Sequence, residues 1–424
     1  MGNLCILSFF KLFGYLIEDH FRHADRNIEN VMLRVLYFHH AVGPGGAPRS
    51  LSYLIGSLDP SQVESVVVVP DRPGNEAVCS LFRNAGATVV TERNIRPFDG
   101  STVSPCRGLR GKAYAFYGYN STCTASRSLV RHWQPDIVHL NSTCLAAAAK
   151  GARQANPRVP VITHVREPLL PNLWGRMLAA TVRRYTNCFI SIDAVGLESL
   201  LLPPNCLAHV IPNFVDESRY VSSVETRSRF RRTLGWSDTD VVVLSLSRVS
   251  ESNGALEFAR LIKACHGQLP EQVRFGFAGF SSEPRPYARE AAELLQILPR
   301  CQTIPFTDDV VSLLNAADVV VAPFVTSHSA RSVIEGAMMG KPALVTELPN
   351  LMEQIVVGQT GLTFSLSDEA KFVSALRCFC DPSNLGRMSQ NAEEFGRRRF
   401  GQIANTARVL DIYRDMVRSR RFAA

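Results

Sequence analysis

No Cys-x-x-Cys pair occurs in this chain, and its eleven cysteines are scattered singly, Cys378 and Cys380 lying closest. That spacing excludes a zinc ribbon and a disulfide framework, and it leaves most of the thiols as small buried hydrophobes in a reducing cytosol. No dense Lys/Arg tract interleaved with aromatic residues is present, so no nucleic-acid partner is expected. His39, His40 and His139 have no metal-like spacing; no metal is expected, and His139 reads as a core histidine inside an apolar strand. Gly-x-Gly-x-x-Gly is missing too, which argues against a nicotinamide or flavin enzyme although Gly45-Gly46 follows a strand. No repeat of about 20 to 50 residues marks a solenoid. The apolar stretch Leu4 to Ile17 is interrupted by Lys11 and is too short to cross a bilayer. No basic segment precedes it, and Met1-Gly2-Asn3-Leu4-Cys5-Ile6 lacks the Ser/Thr of a myristoylation site. Phe9, Phe10, Phe13, Ile17 and Phe21 fall on one helical face, which suits a helix resting on a membrane or one packed on the protein's own surface.

What is present is a long globular chain. Its 424 residues exceed one ordinary core and imply two domains; 46% hydrophobic and 20% charged residues exclude disorder. The net charge of +8 favours anionic partners such as nucleotide phosphates, lipid pyrophosphates or an acidic membrane face. Strand and helix patterns alternate twice along the chain, the signature of α/β architecture. Strands are expected at 31–38, 66–70, 87–91, 136–141, 159–163 and 187–192, then at 240–246, 274–278, 303–305, 319–323 and 343–346. Residues 94–112 read as a loop, and 402–418 as a final amphipathic helix. The divisions are 1–30 for the N-terminal helix, 31–212 and 213–400 for two domains, and 401–424 for a helix packing back on the first.

One segment carries the most chemistry: Ser329 to Thr346, a polar loop, a short helix, Gly340 and an apolar strand. A strand–helix–strand unit places the helix N-terminus at the carboxyl edge of a parallel sheet, where such folds bind ligands. Backbone N–H groups there, with Arg331 close by, suit a phosphate. Glu335, about one turn into the helix, can accept hydrogen bonds from a sugar diol. The same spacing fits an ordinary helix–strand unit with a solvated Glu.

This segment resembles the donor-site signature of retaining glycosyltransferases of GT-B fold, the family usually numbered four. Glu335 aligns with the second Glu of that signature and Gly340-Lys341-Pro342 with its tail, whereas the first Glu falls on Ser327, beside His328. Other segments resemble the family in order: His40 to Ser50 its Gly-rich first loop, Pro135 to Asn141 the strand before the acceptor loop, Val210 to Asp216 its hinge, and Ser245 to Gly254 its phosphate-binding turn. The resemblance implies two doubly wound Rossmann-like domains facing a cleft. It implies transfer of a sugar from a nucleotide-diphosphate donor to a hydroxyl of a carbohydrate or lipid-linked acceptor, with retention and without a cofactor beyond the donor itself. Cell-surface polysaccharide synthesis, in the cytoplasm and peripheral to the inner membrane face, is the setting it suggests.

Residue by residue, the resemblance places Arg248 and the backbone of Ser329, Ala330 and Arg331 on the phosphates, Glu335 on the ribose, and Gly45 and Gly46 against the donor. The family's Lys after Arg248 is Asn253 here. In Val161 to Pro168 the family's His near the anomeric carbon matches with an ambiguity of two residues. Either His164 fills the role, or Arg166 does with Glu167 beside it; His164 and Arg166 are both taken as contributing, with Glu335, to catalysis. Loss of charge at Ser327 and Asn253 supports an alternative, a GT-B protein that has become a binding or assembly partner, and a nucleotide-sugar epimerase of the same fold is the third reading.

Overall fold

A computed structural model describes residues 32–43, 45–98, 100–102 and 108–422. The N-terminal segment 1–30 lies outside the described residues, and with it the apolar helical face read from the sequence. The strands form two sheets. The first contains β1 (Leu33–Phe38), β2 (Val63–Pro70), β3 (Thr88–Glu92), β4 (Ile137–Leu140), β5 (Val161–Val165), β6 (Cys188–Ser191) and β7 (Leu207–Val210), in the order β3-β2-β1-β4-β5-β6-β7. The second contains β8 (Val241–Leu246), β9 (Val273–Phe280), β10 (Cys301–Pro305), β11 (Val319–Ala322), β12 (Ala343–Thr346) and β13 (Gly361–Phe364), in the order β10-β9-β8-β11-β12-β13. Every strand pair is parallel. Parallel strands are covered on both faces, which is why their sequences run apolar without alternation: Val66, Val67, Val68 and Val69 are all fully buried.

Helices cover both sheets. Those of the first domain are α1 (Gly46–Ser57), α2 (Glu76–Asn84), α3 (Gly108–Trp133), α4 (Ala146–Ala155), α5 (Leu173–Tyr185) and α6 (Ala194–Glu198). Those of the second are α7 (Val224–Thr233), α8 (Ala255–Ala264), α9 (Pro286–Ile297), α10 (Val310–Ala316), α11 (Arg331–Met338), α12 (Pro349–Met352), α13 (Glu369–Phe379) and α14 (Pro382–Phe400). The last helix, α15 (Gln402–Phe422), returns to the first sheet, where Val409, Ile412, Tyr413 and Val417 join the core of β1, β2 and α1. Two doubly wound α/β units is the fold class expected from the sequence.

The loop expected at 94–112 is corrected at its end: residues 108–112 begin α3, a helix of 26 residues. Three glycines, with Asn, Ser and Thr, give this segment poor intrinsic helix propensity. Packing overrides it. Gly151 on α4 lets the two helices touch, since a Cβ there would sit 2.0 Å from Ser126 Oγ and 2.2 Å from the Cys123 carbonyl oxygen. Gly151→Ala is therefore expected to cost about 1–3 kcal/mol by overpacking, seen as a fall in the thermal midpoint; an unchanged midpoint would show that the helices can separate freely. Strands β7 and β13 were not expected from sequence either. Each is a four-residue edge strand, and its pairing is supplied by β6 or β12 rather than by local pattern.

Candidate active site

In each sheet the winding reverses beside the first strand, between β1 and β4 and between β8 and β11. Ligands of doubly wound folds bind in the crevice this reversal opens at the carboxyl edge. Here the two carboxyl edges face each other and the loops beyond them touch. Arg49 pairs with Asp308 at 3.3 Å. The Thr102 hydroxyl donates to the Ser327 carbonyl at 3.4 Å, and the Ala194 N–H meets both carboxylate oxygens of Glu353 at 3.0 and 3.1 Å.

On the first wall, β1, β4 and β5 end in His39, Asn141 and Arg166. Arg166 donates from Nε and Nη2 to Asn141 Oδ1 at 2.8 and 2.6 Å, and from Nη1 to Asn213 Oδ1 at 3.0 Å. Asn141 in turn holds the Ala47 carbonyl at 3.2 Å and His39 Nδ1 at 3.0 Å, fixing the loop that carries Gly45 and Gly46. Burial and the nearby charge of Arg331 pull the Arg166 pKa down to about 9, so it remains a cation at neutral pH. Glu167 accepts a hydrogen bond from the Ser101 hydroxyl, and its negative charge works against the lowering of the Arg166 pKa.

His164 lies one pleat behind Arg166 on the same face of β5. It is 4% exposed, its ring faces His139 at 5.5 Å, and neither ring nitrogen has a hydrogen-bond partner among the described residues. Burial and Arg166 hold its pKa well below the usual histidine range, so the ring is neutral. Of the two candidates for the family's histidine position, Arg166 stands at the strand terminus and His164 behind it. His139 is the core histidine expected, with Nδ1 on the Tyr413 hydroxyl at 2.5 Å. Gly45 and Gly46 open α1, and a Cβ on Gly46 would meet nothing within 4 Å. Packing does not demand glycine there, while close approach of a ligand would.

On the second wall, Arg248 is exposed just past β8. Its loop is held down by two glycines at positive φ. A Cβ on Gly254 (φ 67°) would lie 2.0 Å from the Pro323 carbonyl, and one on Gly279 (φ 113°) equally close to that of Ser247. The two positions that lack the family's charge are tied into the loop. Asn253 donates to the Arg248 carbonyl at 2.8 Å and meets His328 Nε2 at 2.9 Å; the His328 ring stacks on Phe324. The Ser327 hydroxyl donates to Asn350 Oδ1 at 2.6 Å.

Helix α11 presents a different arrangement from the expected one at its N-terminus. The Ala330 N–H is taken by Gln354 Oε1 at 3.0 Å, and Gln354 Nε2 donates to Ser329 Oγ at 2.7 Å. Arg331 reaches across to the first domain: Nη1 donates to Ser50 Oγ at 3.0 Å and the guanidinium lies 5.1 Å above the Tyr53 ring. Its Nε pairs with Glu335 at 2.9 Å. Glu335 is 5% exposed, and burial together with this carboxylate pushes the neighbouring Tyr220 hydroxyl pKa up. Ser50 also donates to Asn213 Oδ1 at 3.0 Å, so Arg166 and Arg331 converge on one Ser50–Asn213 pair.

Sequence reasoning missed Ser50, Asn141, Asn213, Tyr220 and Gln354. Asn141 carried a signal, a lone amide at the end of an apolar strand; the others carried none, because their roles depend on segments far apart in the chain. Among the described residues no group of His, Cys, Asp and Glu is arranged to hold a metal ion, and no helix is long and apolar enough to cross a membrane.

Comparison with known proteins matches both halves. Residues 44–219 match the model described as glycosyltransferase family 4, and residues 240–381 that described as glycosyl transferases group 1. The chain is 22% identical over 304 residues to the UDP-Gal:alpha-D-GlcNAc-diphosphoundecaprenol alpha-1,3-galactosyltransferase of Escherichia coli, covering 68% of this chain and 78% of that one. It is 26% identical over 266 residues to the 2-deoxystreptamine N-acetyl-D-glucosaminyltransferase of Streptomyces fradiae, covering 57% and 63%. Among solved structures, Anabaena HepE in complex with UDP and glucose superposes with a TM-score of 0.72 at 19% identity, covering 90% of this chain and 99% of that one. With both halves matched and two doubly wound sheets opposed, the chain belongs to the family 4 glycosyltransferases of GT-B fold and is a glycosyltransferase.

Proposed function

We propose that the enzyme transfers a sugar from a uridine-diphosphate donor to a hydroxyl of a lipid-linked saccharide, with retention at the anomeric carbon, during assembly of a cell-surface polysaccharide at the inner face of the cytoplasmic membrane. The observation that carries this reading is the pair of opposed carboxyl edges, one bearing the exposed Arg248 and the other the fixed Arg166. The sugar C1–O bond to the diphosphate breaks, a bond from the acceptor oxygen to C1 forms, and the acceptor proton leaves with the diphosphate. Charge develops on the leaving phosphate, where a fixed guanidinium stabilises the transition state more than the ground state. Arg248 supplies it from the second domain, and Gly45 and Gly46 let the donor approach the first. The acceptor class rests on the Escherichia coli relative, whose name specifies a diphosphoundecaprenol-linked acceptor, and the nucleotide on UDP in that name and in the HepE complex. No cofactor is required in this reading.

Calorimetric titration with UDP, GDP and ADP tests the donor site. UDP should bind most tightly, and Arg248→Ala should weaken it at least tenfold, the loss of a charge-assisted contact. No binding of any nucleotide would dismantle this reading and favour the binding-partner alternative. The anomeric configuration of the product, read by NMR, tests retention.

A further inference from the structure

The layer that covers one face of the first sheet, helices α3, α4 and α5, carries nine Lys and Arg residues and no Asp or Glu. Over the whole chain the two signs nearly balance, at 46 basic to 38 acidic, so the asymmetry is local. At one end of this layer large apolar and aromatic side chains stand in solvent: Leu173 is 76% exposed, Tyr117 67% and Phe116 52%, with Tyr114 and Met177 beside them. These side chains are held rather than splayed. Trp174 stacks on Phe98 at 4.7 Å, and Phe116 meets Trp174 edge-on at 5.5 Å. The basic residues interleave: Arg96 lies 5.0 Å from the Tyr114 ring and 5.5 Å from that of Tyr117, and Lys112 lies 5.9 Å from Trp174.

The position of this face matters as much as its composition. A Cβ on Gly100 would touch Trp174 and Leu178 at 3.3 and 3.2 Å, and two residues on, Thr102 bonds Ser327 across the cleft. The aromatic end therefore adjoins the rim of the cleft on the first domain. We infer that the exposed face of α3 and α5 is the surface by which the enzyme docks on an anionic lipid bilayer. Aromatic rings favour the headgroup region, and Lys and Arg stems lie along apolar surface while their charges reach lipid phosphates. An acceptor anchored in the bilayer must present its hydroxyl at the cleft without leaving the membrane, and a docking face continuous with the rim meets that requirement. The inference deepens the lipid-linked-acceptor reading, and the charge and exposure of the face stand apart from it.

Co-sedimentation of the full-length protein with phosphatidylglycerol/phosphatidylethanolamine vesicles tests it, with phosphatidylcholine vesicles as the uncharged comparison. Binding is expected to the anionic vesicles alone and to fall as salt rises. Two variants, Phe116→Ser/Tyr117→Ser/Leu173→Ser and Arg110→Glu/Lys112→Glu/Arg176→Glu, should each lose at least tenfold in vesicle binding while keeping the thermal midpoint and UDP affinity of the unaltered protein. Equal vesicle binding by the variants would overturn the assignment, as would no binding by the unaltered protein. A dimer that dissociates in the same variants, with no vesicle binding, would give the face to a second copy and overturn it too. Transfer to a lipid-linked and to a water-soluble acceptor, measured in parallel, separates the two readings. Vesicle binding with transfer only to the soluble acceptor would sink the acceptor reading and leave the docking face standing.

Discussion

Glu335→Ala is expected to lower sugar transfer at least a hundredfold and to destabilise the protein by about 3–5 kcal/mol, the cost of leaving a buried partner charge unpaired. The carboxylate is buried and pairs with Arg331 at 2.9 Å, and Arg331 connects α11 to Ser50 of the first domain. Two effects then have to be told apart, because a destabilised enzyme loses activity for reasons unrelated to its site. The variant Glu335→Ala/Arg331→Leu removes both charges and should recover most of the thermal midpoint. Its transfer activity should stay low, since neither the carboxylate nor the arginine would be available at the cleft. Glu335→Gln, which keeps an acceptor for Arg331, should retain more stability than Glu335→Ala. Transfer by Glu335→Ala within about threefold of the unaltered rate, a change well under 1 kcal/mol in barrier, would remove Glu335 from the site altogether.

The second large effect is acid instability of the first domain. His39, His139 and His164 are buried in a row across β1, β4 and β5, and burial, the largest cause in each, depresses their pKa values, that of His139 to about 3. A histidine neutral in the fold takes up a proton on unfolding once the pH drops below its ordinary value of 6.5. The unfolded state then binds more protons, and stability falls as the pH falls. Asp193 acts in the opposite sense: burial raises it to about 6, so between that value and 3.8 the folded state holds the extra proton. His40, lowered to about 4 by burial and Arg166, adds to the histidine side. Four histidines against one carboxyl leave about three protons net, roughly 4 kcal/mol per pH unit between 6 and 5. Thermal midpoints measured from pH 7.5 to 5 should fall steeply, and His164→Phe should make the fall shallower by about one proton. A flat profile across that range would show that these rings are protonated within the fold.

Strand composition made the architecture legible in advance. Val66 to Val69, Val241 to Leu246 and Val319 to Ala322 can be buried only on both faces, and a chain that alternates such runs with amphipathic helices has few ways to fold other than as a doubly wound sheet. The identity of the family was legible for a related reason. Gly-rich loops, Arg248 and the segment around Glu335 are local devices, each written in consecutive residues. What lies between segments was not. Helix α3 packs closely on α4 because Gly151, remote in sequence, leaves room for it. That Arg166 stands just past the end of β5 and His164 inside it follows from the pairing of β5 with β4 and β6. Arg331 pairs with Glu335 one turn along its own helix, but its hydrogen bond to Ser50 brings together residues from opposite domains. Sequence alone determined the two-sheet fold and the family, because burial on both faces and short motifs are properties of neighbouring residues. Only the tertiary structure decided which charges face the cleft and which are already paired, because electrostatic partners and desolvation are set by distance in space.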